Sequence, residues 1–247
     1  VTSFPESMRL RLFTVMCFVL VADARAQVPY GQQDIPSQRA GLMMSTLDFK
    51  FVGNAPSELV FAFTNPTYGV FYSRQEIFFS YTRGAQDLSG GDRLVLSDAT
   101  MSGWAPVRPF KGDTPRKLDV FFPLGLNSDF RKIVRTKGST EIDAFEYTVV
   151  AVGAGVGFGI ETGAGYLSGY ALPFFGIASR SFGNDTDTSA IVTANAEWLS
   201  RPFIGRFGVS VGYGYRWQKW YSDVGDITGD SFDYVGSKHT VRIGLSY

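Results

Sequence analysis

An all-β fold, an antiparallel up-and-down barrel, is what this sequence predicts, and three observations predict it. Side chains alternate polar and apolar over several long stretches, the period of a strand, whose successive side chains face opposite sides. Glycine is frequent (28 of 247 residues) and aromatic residues make up 15%, a richness that fits strands framed by aromatic girdles. After residue 26 no stretch has the ~20 unbroken apolar residues of a spanning helix, so any crossing of a bilayer falls to strands.

The elements follow in order. Met8 opens a stretch with Arg9 and Arg11, followed by an apolar run from Leu12 to Ala22 and by Ala24-Arg25-Ala26. A positive start, a short apolar centre and an A-x-A site make residues 1–26 a cleaved signal peptide with its upstream residues, and Gln27 the first mature residue. Cys17, the single cysteine, leaves with the signal, so disulfide and thiol chemistry drop out. Residues 27–57 form an N-terminal periplasmic leader or an extra strand, and 58–247 the barrel. Gln27 to Ala40 is polar and irregular, with Pro29 and Pro36.

Eight strands are the favoured count, near 75–84, 92–104, 117–127, 143–160, 165–181, 190–198, 207–217 and 234–247. Thr46 to Val52 and Leu59 to Thr64 also alternate. With Asn65-Pro66-Thr67-Tyr68 as a turn, strands near 43–53 and 58–65 raise the count to ten.

The clearest faces are these. Leu118, Val120, Phe122, Leu124 and Leu126 oppose Asp119 and Asn127; Val192, Ala194, Ala196 and Trp198 oppose Thr193, Asn195 and Glu197. Phe207, Val209, Val211, Tyr213, Tyr215 and Trp217 oppose Gly208, Ser210, Gly212, Gly214 and Arg216. Between Val152 and Ile160 every second residue is glycine; four glycines would weaken a helix by roughly 1 kcal/mol each, whereas a strand gathers them on one face. Phe145 and Tyr147 fall on the glycine parity, and a β-bulge near Val149 is the expected cause. Val241, Ile243, Leu245 and Tyr247 oppose Lys238, Thr240, Arg242, Gly244 and Ser246.

A soluble barrel also alternates, with its apolar face buried and its polar face in water. Against it stand glycines on the would-be solvent faces, where a soluble strand favours Thr, Lys or Glu. Aromatics also sit at strand ends (Tyr215, Trp217, Trp220, Tyr221, Tyr247), where interfacial belts lie. Glu161 to Gly165 and Ser200 to Ile204 are short connections, while Ser128 to Ile142, Phe182 to Thr188 and Ser222 to Asp233 are longer. Short turns on one side and long loops on the other is the pattern of a membrane barrel.

An export signal followed by a closing strand that ends Ile243, Leu245, Tyr247 resembles the small bacterial outer-membrane barrels of the OmpA and OmpX kind. The resemblance implies residence in the Gram-negative outer membrane. It also implies an assembly signal at Ile243, Leu245 and Tyr247 read by the barrel-assembly machinery, and contact with membrane lipids and lipopolysaccharide.

Three groups of residues are candidates for function. Lys117, Asp119, Asn195, Glu197, Arg216, Lys238 and Arg242 share the inward faces; an eight-stranded barrel is just wide enough for side chains to fill, so mixed charges there form a lumen network. Arg131, Lys132, Arg135 and Lys137 fall in the loop expected after residue 127 and are candidate partners of lipopolysaccharide phosphates. His239, the only histidine, has no serine two places away and no cluster to make a metal site; it reads as an interfacial residue. The near-even charge (23 Lys and Arg, 23 Asp and Glu) lacks the basic footprint of a nucleic-acid binder, and no cofactor is implied. The expectation is a non-enzymatic, porin-like or OmpA-like membrane protein with a structural or surface-interaction role, free to dock a surface or periplasmic protein partner. The alternative is a channel for small or hydrophobic solutes; an envelope-lipid enzyme and a lipocalin-like carrier follow.

Overall fold

The computed structural model describes residues 38–53, 61–108, 118–180, 186–220 and 232–247. The signal segment, the leader up to residue 37, Lys117 and parts of the expected loops lie outside the described residues.

Eleven strands are assigned: β1 (Gln38–Gly53), β2 (Pro66–Arg74), β3 (Ile77–Asp87), β4 (Asp92–Val107), β5 (Leu118–Lys137), β6 (Thr140–Ala154), β7 (Val156–Thr162), β8 (Gly165–Arg180), β9 (Thr186–Ser200), β10 (Gly208–Trp220) and β11 (Phe232–Ser246). All pairings are antiparallel. The order runs β4-β3-β2-β1-β11-β10-β9-β8 and then to β6/β7 and β5, and the β4–β5 pairing closes the ring. β6 and β7 share one register against β5, Leu124 facing Ala154 and Phe121 facing Gly157, so they are two halves of one strand. The break between them falls at Gly155, whose N–H donates to Pro123 O at 3.0 Å. Pro123 has no N–H to return, so the ladder is interrupted there.

The barrel therefore has ten strands, the larger of the two counts the sequence allowed. The difference from eight lies at the N-terminal end. β1 pairs with β11 along its whole length, from Arg39–Ser246 to Gly53–Phe232, and Gln38 and Tyr247 exchange backbone hydrogen bonds of 3.1 and 2.9 Å. β1 is thus part of the barrel from Gln38 on, within the segment 27–57 expected to be a leader or an extra strand. Asn65 to Tyr68 is not the turn expected: Pro66 already begins β2, at the first position of a strand, where a missing N–H is tolerated. Phe61 and Phe63 instead fold back into the barrel, Phe63 bridging Phe49 by two backbone bonds of 2.9 and 3.0 Å.

The outer wall is apolar. Leu42, Val70, Phe79, Leu124, Val152, Phe175, Val211 and Ile243 are exposed, and they come from eight different strands around the ring. In water this continuous band would be a large unsatisfied hydrophobic surface; facing lipid it is the ordinary exterior of a membrane barrel. Among the described residues no helix is long and apolar enough to cross a membrane.

The inner wall is filled rather than hollow. Glycines on it make room for aromatic rings from neighbouring strands. A Cβ on Gly157 would strike the Phe121 ring, one on Gly159 would strike Tyr166, and one on Gly153 would strike the Pro173 carbonyl and then the Phe174 ring. Those clashes give the alternate glycines of the 152–160 stretch a packing reason.

The parity break expected near Val149 is absent. Phe145, Tyr147, Val149 and Ala151 all face inward and are buried, so one parity holds from Phe145 to Ala151. Phe145 and Tyr147 belong to an aromatic layer inside the barrel. The irregularity in this pair of strands is instead the register shift at Arg135/Thr136.

Candidate functional site: the lumen

Two layers fill the lumen. At the end remote from Gln38 and Tyr247, side chains from β1, β6, β10 and β11 form an aromatic layer. Phe49 stacks on Tyr234 at 4.6 Å and meets Trp220 edge-on at 5.2 Å; Phe145 lies 4.8 Å from Tyr234, and Tyr147 lies 5.6 Å from Trp220. Such ring pairs contribute about 0.5–1.5 kcal/mol each beyond the area they bury. Trp220, expected at the membrane interface, is buried in this layer. Tyr221, expected beside it, lies outside the described residues.

Below the rings lies a charged layer. Asp98 on β4 and Arg131 on β5 are direct cross-strand partners. Arg131 donates from Nε to Asp98 Oδ1 at 3.3 Å and from Nη2 to Oδ2 at 3.1 Å. Lys238, on β11 across the lumen, donates to Asp98 Oδ2 at 2.8 Å and reaches Thr82 Oγ1 at 3.4 Å. The Arg131 guanidinium also lies 5.3 Å from the Phe49 ring centre and 5.0 Å from that of Trp220, so cation–π contact joins the two layers. Arg216 on β10 spans the lumen to β5, where it pairs with Asp129 and donates to Asn127 Oδ1 at 3.2 Å. Asn127 in turn donates to Asp129 at 2.8 Å. Lys238–Asp98 and Arg216–Asp129 thus tie opposite walls together.

Nearer the chain ends, Arg39 pairs with Glu197 at 2.7 Å and donates to Ser73 Oγ at 2.7 Å. Arg108 pairs with Asp119 at 2.8 Å. Arg242 donates to Asn195 Oδ1 at 3.2 Å and stacks over Phe78 at 5.0 Å. In a dry interior an ion stripped of its partner costs about 3–5 kcal/mol, which is why these charges come in connected groups.

Of the seven residues expected to face inward, Asp119, Asn195, Glu197, Arg216, Lys238 and Arg242 line the interior, and Lys117 lies outside the described residues. Arg39, Asp98, Arg108 and Asp129 also line the interior and were not expected there. Asp98 and Asp129 alternate with apolar or small neighbours on the inward parity, and pairing that parity across β4 and β5 is what would have found them.

The basic group expected in a loop is corrected. Residues 128–137 continue β5, and the connection to β6 is a tight turn at Gly138-Ser139, with Gly138 at φ 61°. On a strand the four residues separate. Arg131 is buried in the lumen, Arg135 faces inward over the Phe61 ring at 5.3 Å, Lys132 faces outward to Glu146 at 3.6 Å, and Lys137 is exposed at the turn. They do not form one phosphate-binding patch.

His239 faces outward, its Nδ1 sharing a 2.7 Å hydrogen bond with the Tyr213 hydroxyl. Ile243 and Leu245 are exposed on the outer wall, and Tyr247 packs 6.1 Å from Phe207.

An apolar exterior around a polar and aromatic interior defines a closed antiparallel β-barrel of the membrane type. Among solved structures the chain is similar to the crystal structure of the outer membrane protease OmpT from Escherichia coli, with 10% identity, 90% of this chain and 99% of that chain covered, and a TM-score of 0.39. No protein-family profile matches the chain, and no curated protein matches its sequence. The likeness concerns the fold of an outer-membrane barrel, not the OmpA or OmpX kind in particular. The expectation of a non-enzymatic protein is withdrawn: the structure found is described as a protease, which is said of that protein alone, and because function lives in sites grafted on folds, barrel architecture gives no ground for excluding catalysis.

Proposed function

We propose that the protein is an integral outer-membrane barrel with a closed lumen, serving a structural or surface-interaction role in the envelope rather than passing solutes. One observation carries this reading: the aromatic layer of Phe49, Phe145, Tyr147, Trp220 and Tyr234 lies directly on the ion-paired layer of Asp98, Arg131 and Lys238. A solute crossing the lumen would have to separate stacked rings and break buried ion pairs together. In this reading residues 1–26 are the export signal, the end holding Gln38 and Tyr247 faces the periplasm, and Ile243, Leu245 and Tyr247 guide assembly. Work outside the cell then falls to the opposite rim.

Liposome swelling tests it. Vesicles carrying the folded barrel are expected to swell in arabinose no faster than empty vesicles; swelling at a porin-like rate would replace this reading with that of a channel.

A further inference from the structure

We propose that the lumen holds a binding site for a small organic anion, a carboxylate on a flat apolar body, with Arg242 as its anchor. Beneath the charged layer is a cavity of about 70 Å³, taken as the space open to the centres of water molecules. A single water needs only ~10–15 Å³ on this measure, so the cavity has room for several waters or one small ligand. Among the described residues three cations line it, Arg216, Lys238 and Arg242, and no carboxylate does. Two of the three are committed, Arg216 to Asp129 and Lys238 to Asp98.

Arg242 is different. It is 8% exposed, its one hydrogen-bond partner among the described residues is the neutral amide oxygen of Asn195, and its Nε is buried without a partner. A buried guanidinium that forms no ion pair among the described residues is costly, and its planar fork matches a carboxylate. The wall is shaped to hold the group in place. Gly212, directly across from Arg242 in the β10–β11 ladder, would put a Cβ 3.0 Å from Nε, and a Cβ on Gly214 would come 2.8 Å from Asn195 Oδ1. The two glycines leave the space that both polar groups occupy.

The rest of the lining sets the other half of the ligand. Phe78 lies under Arg242, and Trp104 and Tyr170 pack 5.6 Å apart on the neighbouring wall. Flat faces beside a cation suit an aromatic or similarly planar body. The site does not depend on the lumen being closed, so its failure and that of the closed-barrel reading are separately visible.

The test is calorimetric titration of the folded barrel in detergent micelles with benzoate, against a protein-free micelle blank. Benzamide serves as the uncharged counterpart. Wild type is expected to bind benzoate saturably at one site and benzamide at least tenfold more weakly. Arg242→Met is expected to weaken benzoate at least tenfold, with partial recovery in Arg242→Lys. Ser102→Phe, which fills the cavity and leaves Arg242 in place, is expected to abolish binding; it decides the matter if Arg242→Met fails to fold. No saturable binding to wild type, equal binding of benzamide, or undiminished binding in folded Arg242→Met or Ser102→Phe would overturn the proposal.

Discussion

Replacing Asp98 with Asn is the sharpest perturbation of the charged layer. The carboxylate is 3% exposed and answers two cations, Lys238 at 2.8 Å and Arg131 at 3.1 Å. At an effective dielectric near 20, unit charges at about 3 Å attract by roughly 5 kcal/mol. Desolvation offsets much of that gain, yet stripping a buried ion of its partner still costs about 3–5 kcal/mol. Asp98→Asn strips two cations at once, so a loss of about 4 kcal/mol or more is expected. Lys238→Met is the informative contrast. It removes a buried ammonium together with its desolvation penalty and leaves Asp98 held by both hydrogen bonds from Arg131, so less than about 2 kcal/mol is expected. Urea-driven folding into phospholipid vesicles, followed by tryptophan fluorescence and by heat-dependent gel mobility, measures both. If Asp98→Asn lies within about 1 kcal/mol of wild type, or Lys238→Met is the more damaging of the two, the reasoning about shared counter-charge fails.

Three further outcomes follow from the same geometry. Gly157→Val pushes a side chain into the Phe121 ring and is expected to destabilise the barrel by about 1–3 kcal/mol in the same urea titration; a neutral result would mean the ring moves aside freely. Val152, 63% exposed on the outer wall, faces the hydrocarbon in this account, so Val152→Lys is expected to cost about 2–4 kcal/mol near the midplane. The same change would be almost silent on a soluble barrel. Glu76 lies in the β2–β3 turn, where burial pushes its carboxyl above the usual range against its backbone hydrogen bond and the pull of Arg108 and Arg39. A folded pKa above the unfolded one stabilises while the group is protonated, and that contribution is lost as pH rises through the folded value. Glu76→Gln should therefore gain stability relative to wild type as pH rises above the unfolded carboxylate value of about 4.3, and a difference that stays flat with pH would show that Glu76 is solvated.

Much of the wall was legible because period-two alternation reports directly which side a residue faces. The outward sets Leu118 to Leu126, Val192 to Trp198 and Phe207 to Trp217 all face outward as read. What alternation does not report is whether the inside is polar. Phe145 and Tyr147 looked out of phase only because apolar was equated with outward; an aromatic lumen layer breaks that equation and leaves the parity intact. The same equation sent Arg131 and Arg135 to a loop, since Arg-Lys-Ile-Val-Arg lacks a clean apolar face. On the strand Ile133 is buried inside beside Arg131, and Val134 faces out. Partners such as Asp98 and Lys238 are 140 positions apart, so their meeting depends on the closure and register of the whole ring. β1 was legible only from about residue 43, because its polar start, Gln38-Arg39-Ala40-Gly41, reads as leader until its pairing with β11 is known.

The central claim is that rings and ion pairs close the lumen. Single-barrel conductance in a planar bilayer measures it directly, comparing wild type with Phe49→Ala/Trp220→Ala, which removes the two rings against which the Arg131 guanidinium packs. Wild type is expected to stay silent across the voltage range, and the double variant to show stepwise openings. Discrete openings of wild type at low voltage would contradict the closed-lumen account.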